Sequence, residues 1–362
     1  MEVITAIGIM SGTSVDGLDI VAAEFEYVKK QWNYRIIKSN SLIYPESLRN
    51  SLANSIHFNG EELIYLDFKL GEYIGDAINH FCRNEKFKAD IISSHGHTVF
   101  HQPGQGITFQ IGDGQTIYQK TKIKVINDFR KIDVLRGGQG APLVPVGDKL
   151  LFGEYEFCLN IGGFSNISFD NSRNERIAYD VGPANIILNF LAGREGKLYD
   201  DRGSMARKGN LIPDLLRGLN ALDYYSLEPP KSLGLEWVKK SMLGKIPLDK
   251  YPLEDIMGTL IEHIACQINA SIQREKKKYY KGLECKVLVT GGGVFNDYLM
   301  ERLREMSDGY KFVIPDKEII EFKEALIFAF LGVLRIRNKA NIWKSVTGAT
   351  QDSSGGTLHD YH

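Results

Sequence analysis

The first apolar positions, Val3, Ile4, Ala6, Ile7 and Ile9, form a short run. It breaks into glycines and hydroxyls over Gly8-Ile9-Met10-Ser11-Gly12-Thr13-Ser14-Val15-Asp16-Gly17 and resumes from Leu18 to Phe25. Runs of this length bounded by glycine predict buried strands joined by a tight turn. Trp32, Tyr34, Ile36 and Leu42 continue a strand-like alternation, so the chain is predicted to open with three consecutive strands. The pattern then changes period. Pro45-Glu46-Ser47 starts a helical region, and Leu63, Leu66, Leu70, Ile74, Ile78 and Phe81 recur at spacings of three and four, which predicts a long amphipathic helix. Asp90 to Ser94 and Lys124 to Asn127 read as short buried strands. They run into Ser94-His95-Gly96-His97-Thr98 and Asp128-Phe129-Arg130 respectively.

After the breaker cluster Gly137-Gly138-Gln139-Gly140-Ala141-Pro142 the plan begins again. Cys158 to Asp170 repeats the order strand, Gly/Ser turn, strand, with Asn160-Ile161-Gly162-Gly163 in the turn, and Arg176 to Asp180 supplies a third strand. Helices are predicted over Ala184 to Leu191, Pro213 to Leu222 and Leu253 to about Glu275. A short strand, Lys286 to Thr290, runs into Gly291-Gly292-Gly293, and a closing helix carries Glu324, Ala325, Phe328, Ala329 and Leu331. Two halves that each start with a strand meander and a glycine turn predict a duplicated α/β core with a cleft between the copies. The expected lobes are residues 1–135 with 340–362, and residues 136–339.

The first turn has chemistry to offer. Gly8, Gly12 and Gly17 permit tight backbone angles and close approach of an anion to amides. Ser11, Thr13 and Ser14 add hydroxyls, and Asp16 and Asp19 are placed to hold a hydrated cation, an inventory that suits nucleotide phosphates with Mg²⁺. An ordinary Gly/Ser hairpin turn is the alternative. The Walker order is absent, and no lysine occurs before Lys29.

With 362 residues, 43% hydrophobic and 25% charged, the composition fits a soluble two-domain protein. Net charge is −1, which offers no electrostatic capture of nucleic acid or an anionic membrane. No run reaches the length of a spanning helix and no secretory leader is visible, so a cytoplasmic location is expected. Cys82, Cys158, Cys266 and Cys285 lie far apart and read as reduced thiols. His95, His97 and His101 do not follow a standard zinc spacing.

Taken together, the motifs resemble those of the anhydro-N-acetylmuramic acid kinases of the sugar kinase, Hsp70 and actin superfamily. They are Met10-Ser11-Gly12-Thr13-Ser14-Val15-Asp16-Gly17, Ser94-His95-Gly96, Gln110-Ile111-Gly112-Asp113, Asp128-Phe129-Arg130-Lys131-Ile132-Asp133, Asp180-Val181-Gly182-Pro183, Gly291-Gly292-Gly293 and Glu324-Ala325, together with the two glycine clusters above. The resemblance implies two duplicated actin-like ATPase (ribonuclease H-like) domains and an enzyme of cell-wall recycling. That enzyme uses ATP, Mg²⁺ and water to open a 1,6-anhydro amino sugar and phosphorylate O6. It also implies a homodimer with no nucleic-acid or membrane partner.

By the same resemblance, Asp180 is the carboxylate that activates water and Glu324 is a second acid near the sugar. Gly12, Thr13, Ser14, Val15, Asp16, Gly17, Leu18 and Asp19 contact the ATP phosphates, with Asp16 reaching Mg²⁺. Asn160, Gly162 and Gly163 close on the phosphates, and Gly291, Gly292 and Gly293 accommodate the adenosine. Ser11, His95, Arg130, Asp133 and Gly182 bind sugar. For Glu324 a helix-dipole role, for Arg130 a structural salt bridge, and for the last glycine turn a simple strand-to-helix connection are the alternatives.

Four positions depart from the family pattern. His97 stands where glutamine is usual and Asn189 where aspartate is usual. Leu233 and Leu235 replace the threonine and arginine that usually follow Lys231-Ser232. The changes bear on which sugar is recognised more than on ATP-dependent chemistry. A kinase for another anhydro or amino sugar, or a non-catalytic nucleotide-binding sensor, are the competing readings.

Overall fold

The computed structural model describes residues 3–361 except Thr13, Ser14, Asp16 and Asn84. Strands β1 (Ile4–Ser11), β2 (Gly17–Val28) and β3 (Gln31–Ile43) form an antiparallel meander, followed by β4 (Ile91–Ser94), a hairpin of β5 (His97–Gln102) and β6 (Ile107–Ile111), and β7 (Lys124–Asn127). A second meander, β8 (Phe157–Ile161), β9 (Phe164–Asp170) and β10 (Arg176–Pro183), precedes β11 (Cys285–Thr290) and β12 (Tyr310–Val313), and β13 (Thr357–His359) ends the chain.

The two main sheets have the orders β13-β7-β4-β1-β2-β3 and β10-β9-β8-β11-β12. Without the terminal β13 they share one topology. A meander's first strand pairs in parallel on its free edge with a further strand, β4 or β11, which in turn pairs in parallel with another, β7 or β12. Parallel neighbours need crossover connections, and helices supply them. This is the duplicated α/β plan that the repeated strand–turn–strand pattern predicted. The β5–β6 hairpin was not predicted, because its polar faces hide the alternation.

The chain divides into two compact units, Met1–Leu151 with Phe322–His362, and Phe152–Glu321. In the first, the helix Gly60–Phe81 covers one face of the sheet. It starts at a capping box in which Asn59 Oδ1 accepts from the Glu62 amide and Glu62 Oε2 accepts from the Asn59 amide. Its Leu63, Leu66, Leu70, Ile74, Ile78 and Phe81 pack with Ile7, Ile9, Leu18 and Ile20. Along the helix Lys317–Ile336, Ala325 and Ala329 approach β1 so closely that a side chain at Gly8 would run into their backbone. The Ser93 hydroxyl donates to the Phe328 carbonyl at 2.5 Å, and Phe330 packs against Phe25 and Trp32. Burial of Phe25 and of Phe330 stabilises the unit by about 2–3 kcal/mol each. The same packing fixes Glu324 one turn before Phe328.

In the second unit the helix Leu253–Tyr279 lies under the sheet. Ile256, Leu260, Ile264, Ile268 and Ile272 pack with Phe157, Leu159, Val287 and Val289. These positions recur at helical spacing, which is why the helix was legible from the pattern. No described helix is long and apolar enough to cross a membrane, and all four cysteines are free.

Candidate active site

The hairpin between β1 and β2 is in register up to the pair Ser11 and Leu18. The Val15 amide donates to the Gly12 carbonyl at 3.2 Å, and Val15 has φ of +58°, a left-handed conformation uncommon for a β-branched residue. Thr13, Ser14 and Asp16, and with them the expected Mg²⁺ ligand, lie outside the described residues. Leu18 is fully buried in the core, so only its backbone can face a ligand. Asp19 is half-buried on β2 opposite Met10 and Ser41. Ser11 is buried and accepts a hydrogen bond from Tyr44 Oη at 2.8 Å. The backbone of Gly17 runs so close to Leu42 that only a glycine fits.

In the same unit, His95 follows β4 and is held by its amide on the Ile9 carbonyl. Its Nδ1 lies 2.8 Å from the Gly96 carbonyl oxygen, so this nitrogen carries the proton. Nε2 then accepts from Arg130 Nε at 3.1 Å and Nη2 at 2.8 Å. Burial, with the Arg130 charge second, pushes the imidazole pKa down to about 3, so the ring is neutral. Arg130 Nη1 also donates to the Gly140 carbonyl at 2.6 Å. Burial lowers the guanidinium to about 10, against a favourable effect from Glu324.

Glu324 is half-buried, and its carboxyl pKa is raised, chiefly by burial. Lys323 and Arg130 act in the opposite direction. Lys323 itself makes a buried ion pair with Asp148 at 3.0 Å.

Asp133 has a bracing role. It is fully buried, Oδ2 accepts from the Gly140 amide at 2.7 Å, and Oδ1 accepts from Thr347 Oγ1 at 2.8 Å. A Cβ on Gly138 would strike the Asp133 carboxylate. The aspartate thus pins the glycine-rich loop that also supplies a carbonyl to Arg130.

In the second unit, Asp180 lies on β10 at a bulge between Asp180 and Gly182. A strap, residues 231–233, crosses it. The Asp180 amide donates to the Lys231 carbonyl at 3.3 Å, and Asp180 Oδ2 accepts from the Leu233 amide at 2.9 Å. Tyr224 Oη donates to the Asp180 carbonyl at 2.6 Å. No described residue hydrogen-bonds Oδ1. Burial raises the carboxyl pKa, offset in part by the Leu233 amide. Lys231 lies over the Tyr224 ring at 4.7 Å and donates to the Tyr224 carbonyl at 3.2 Å, and burial lowers its pKa to about 8. Gly182 faces Tyr225, whose hydroxyl lies 2.8 Å from Nε2 of the buried His263.

Two glycine turns of this unit meet. A Cβ at Gly291 would strike Asn160 and Ile161, and one at Gly293 would strike Ile161. The Gly163 carbonyl accepts from the Ala184 and Ile186 amides at 2.8 and 3.1 Å, and the Gly162 carbonyl accepts from the Asn185 amide at 3.1 Å. These bonds tie the Asn160–Gly163 turn to the helix Asn185–Ala192.

Beside the junction is a cavity of 760 Å³ lined by Asn185, Asn189, Tyr199, Arg202, Gly292, Phe295 and Asn296 among others. It mixes amides, aromatic rings and bare backbone, a combination suited to a nucleoside. Tyr199, Arg202, Phe295 and Tyr224 were not anticipated as site residues, nor was the contact of the Leu233 amide with Asp180. Their roles come from tertiary placement and backbone amides, which leave no local signature.

Among the described residues no three His, Cys, Asp or Glu side chains cluster closely enough to hold a metal. A Mg²⁺ that binds through nucleotide phosphates and one or two carboxylates needs no such cluster.

Residues 4–360 match the family model for anhydro-N-acetylmuramic acid kinase. The anhydro-N-acetylmuramic acid kinase of Actinobacillus pleuropneumoniae serotype 7 (strain AP76) is 34% identical over 372 residues, covering 98% of this chain and 98% of that protein. Those of Haemophilus influenzae (strain ATCC 51907 / DSM 11121 / KW20 / Rd) and Bacillus thuringiensis subsp. konkukian (strain 97-27) are 33% and 32% identical over 97% of this chain, covering 97% and 98% of those proteins. Among solved structures, hexokinase from Schistosoma mansoni complexed with glucose is 12% identical, with TM-score 0.45 over 91% of this chain and 85% of that one. The activator of 2-hydroxyisocaproyl-CoA dehydratase from Clostridium difficile with bound ADPNP is 10% identical, with TM-score 0.43 over 92% and 97%. Both likenesses are too distant to bear on chemistry.

Proposed function

The chain belongs to the anhydro-N-acetylmuramic acid kinase family, and from that membership we propose that it opens 1,6-anhydro-N-acetylmuramic acid and phosphorylates O6, with ATP as the phosphoryl donor. Water attacks the anomeric carbon and loses a proton, the bond from that carbon to O6 breaks, and O6 takes the γ-phosphoryl group. The products are N-acetylmuramic acid 6-phosphate and ADP.

The observation that carries this reading is Asp180. A general base needs a carboxylate held in place with one oxygen open and a pKa above the ordinary range. Leu233 holds Oδ2, Oδ1 has no partner among the described residues, and burial raises the pKa. A sensor would need no carboxylate prepared in this way.

In the first unit, Arg130 is a fixed cation. Its guanidinium is oriented by His95 and Gly140, and its remaining N–H groups can receive a sugar carboxylate or hydroxyl. His95 acts through Arg130 in this arrangement, since both of its ring nitrogens are engaged. Glu324, close enough to Arg130 to feel its charge, is the second acidic group offered to the sugar. The 760 Å³ cavity beside Gly292 suits the adenosine, and by the family resemblance the phosphates would meet the glycine-rich sequence after β1. Mg²⁺ would be held by Asp19 and Asp16 with the phosphates, and when bound it neutralises charge developing on the transferred group. We further propose a cytoplasmic homodimer serving cell-wall recycling.

Purified protein given ATP, Mg²⁺ and the anhydro sugar should release ADP in step with the sugar phosphate. ADP release without sugar phosphate would reject the reading.

A further inference from the structure

The strap that crosses Asp180 has little apolar burial of its own. Ser232 and Gly234 are exposed and Leu233 is only half-buried, so the hydrophobic effect by itself holds it down weakly. The Lys231 side chain adds a different hold. Its ammonium lies 4.7 Å from the centre of the Tyr224 ring and 5.4 Å from that of Tyr179, and it donates to the Tyr224 carbonyl at 3.2 Å. Both tyrosines are buried, and both are tied to Asp180. Tyr179 precedes it on β10, and Tyr224 Oη donates to its carbonyl at 2.6 Å. The rings are themselves fixed. The Tyr179 hydroxyl donates to Glu275 Oε1 at 3.1 Å and accepts from Arg274 Nη2 at 2.9 Å, and Tyr224 packs against Trp237.

A cation over an aromatic face is attracted to it, more strongly where it is partly desolvated. Burial, with the Arg274 charge second, lowers the Lys231 pKa to about 8 against the pull of Glu228 and Glu275, which leaves the ammonium mainly charged at neutral pH. The reaction steps above make no use of this cation. Resting on the kinase reading, we propose that Lys231 is a positioning residue: its ammonium, held over Tyr179 and Tyr224, fixes the strap so that the Leu233 amide meets Asp180 Oδ2. In this role Lys231 acts only through the Leu233 amide. That amide favours the ionised carboxylate and turns one oxygen away from the water that the other must activate.

The test follows sugar phosphate formation at saturating ATP and 1,6-anhydro-N-acetylmuramic acid across pH. Lys231→Met keeps the length of the side chain and removes the charge. It should lower kcat about tenfold, as expected for a weakened hydrogen bond to a carboxylate, with both KM values within about twofold of wild type. The acid limb of kcat should move to higher pH in the same variant, because the Leu233 amide holds the Asp180 pKa down. Lys231→Arg, which keeps a cation over the rings, should restore most of kcat and return the limb. Leu233→Pro removes the amide donor, and adding Lys231→Met to it should cost little more, since both changes act on one bond. A Lys231→Met kcat within about twofold of wild type overturns the assignment and leaves the kinase reading standing. So does a loss that Lys231→Arg fails to reverse and that multiplies with the loss from Leu233→Pro. Absence of turnover by wild type overturns the kinase reading and this assignment with it.

Discussion

The Leu233 amide donates to Asp180 Oδ2 at 2.9 Å, and the contact is indifferent to the leucine side chain. Leu233 is one of the positions at which this chain departs from its family's pattern. The bond that orients the proposed base comes from the backbone, so the departure leaves it intact. Tyr224, on the carbonyl of the same aspartate, adds a second tether.

Burial raises the Asp180 pKa, which gives two pH effects of known sign. The base acts when ionised, so kcat/KM should fall with acid in a limb lying above the ordinary aspartate range. Stability runs opposite to the usual carboxylate. The ionised group costs stability above its raised pKa, and the cost vanishes below the unfolded value, near 3.8. Asp180→Asn should therefore have a Tm equal to or above wild type at about pH 8, with the difference closing at about pH 3. Thermal melts across pH check this, and a lower Tm for the variant at pH 8 would contradict it.

Gly291→Ala introduces a Cβ against Asn160 and the Ile161 backbone at φ of +86°. Backbone cannot yield cheaply there, and the cost should be about 1–3 kcal/mol. Nucleotide affinity should weaken at least tenfold by calorimetry, while the same change at the exposed Gly218, where a Cβ meets open space, should do nothing.

Arg130→Lys keeps a charge but loses the fork that spans His95 Nε2 and the Gly140 carbonyl. The sugar KM should rise about tenfold, with nucleotide binding unaffected. An unchanged KM would make Arg130 a structural residue only.

Much of this architecture was readable from polar and apolar spacing. The meander β1–β3, the helix from Gly60 and the second meander from Cys158 are legible because the buried positions repeat at strand or helix period. The proposed base, Asp180, stood out in the sequence because Gly182-Pro183 follows it. Asp133 was expected at the sugar because of its family position, and the Gly140 and Thr347 contacts that occupy its oxygens were not visible in the sequence, since Thr347 is far along the chain. Tyr44 on Ser11 and the 231–233 strap were missed for the same reason.

Asp133→Asn replaces an acceptor of the Gly140 amide and Thr347 hydroxyl with a group that can satisfy one of them. The fold should lose about 1–3 kcal/mol in denaturant unfolding. A variant as stable as wild type with a raised sugar KM would place Asp133 in the sugar site.

The most direct test of Asp180 as the base is Asp180→Asn assayed for N-acetylmuramic acid 6-phosphate by ³¹P NMR, alongside calorimetry with ATP and Mg²⁺. Removal of a general base should lower turnover by about 10²–10⁴ while nucleotide affinity stays within about twofold of wild type. Turnover close to wild type would contradict that role.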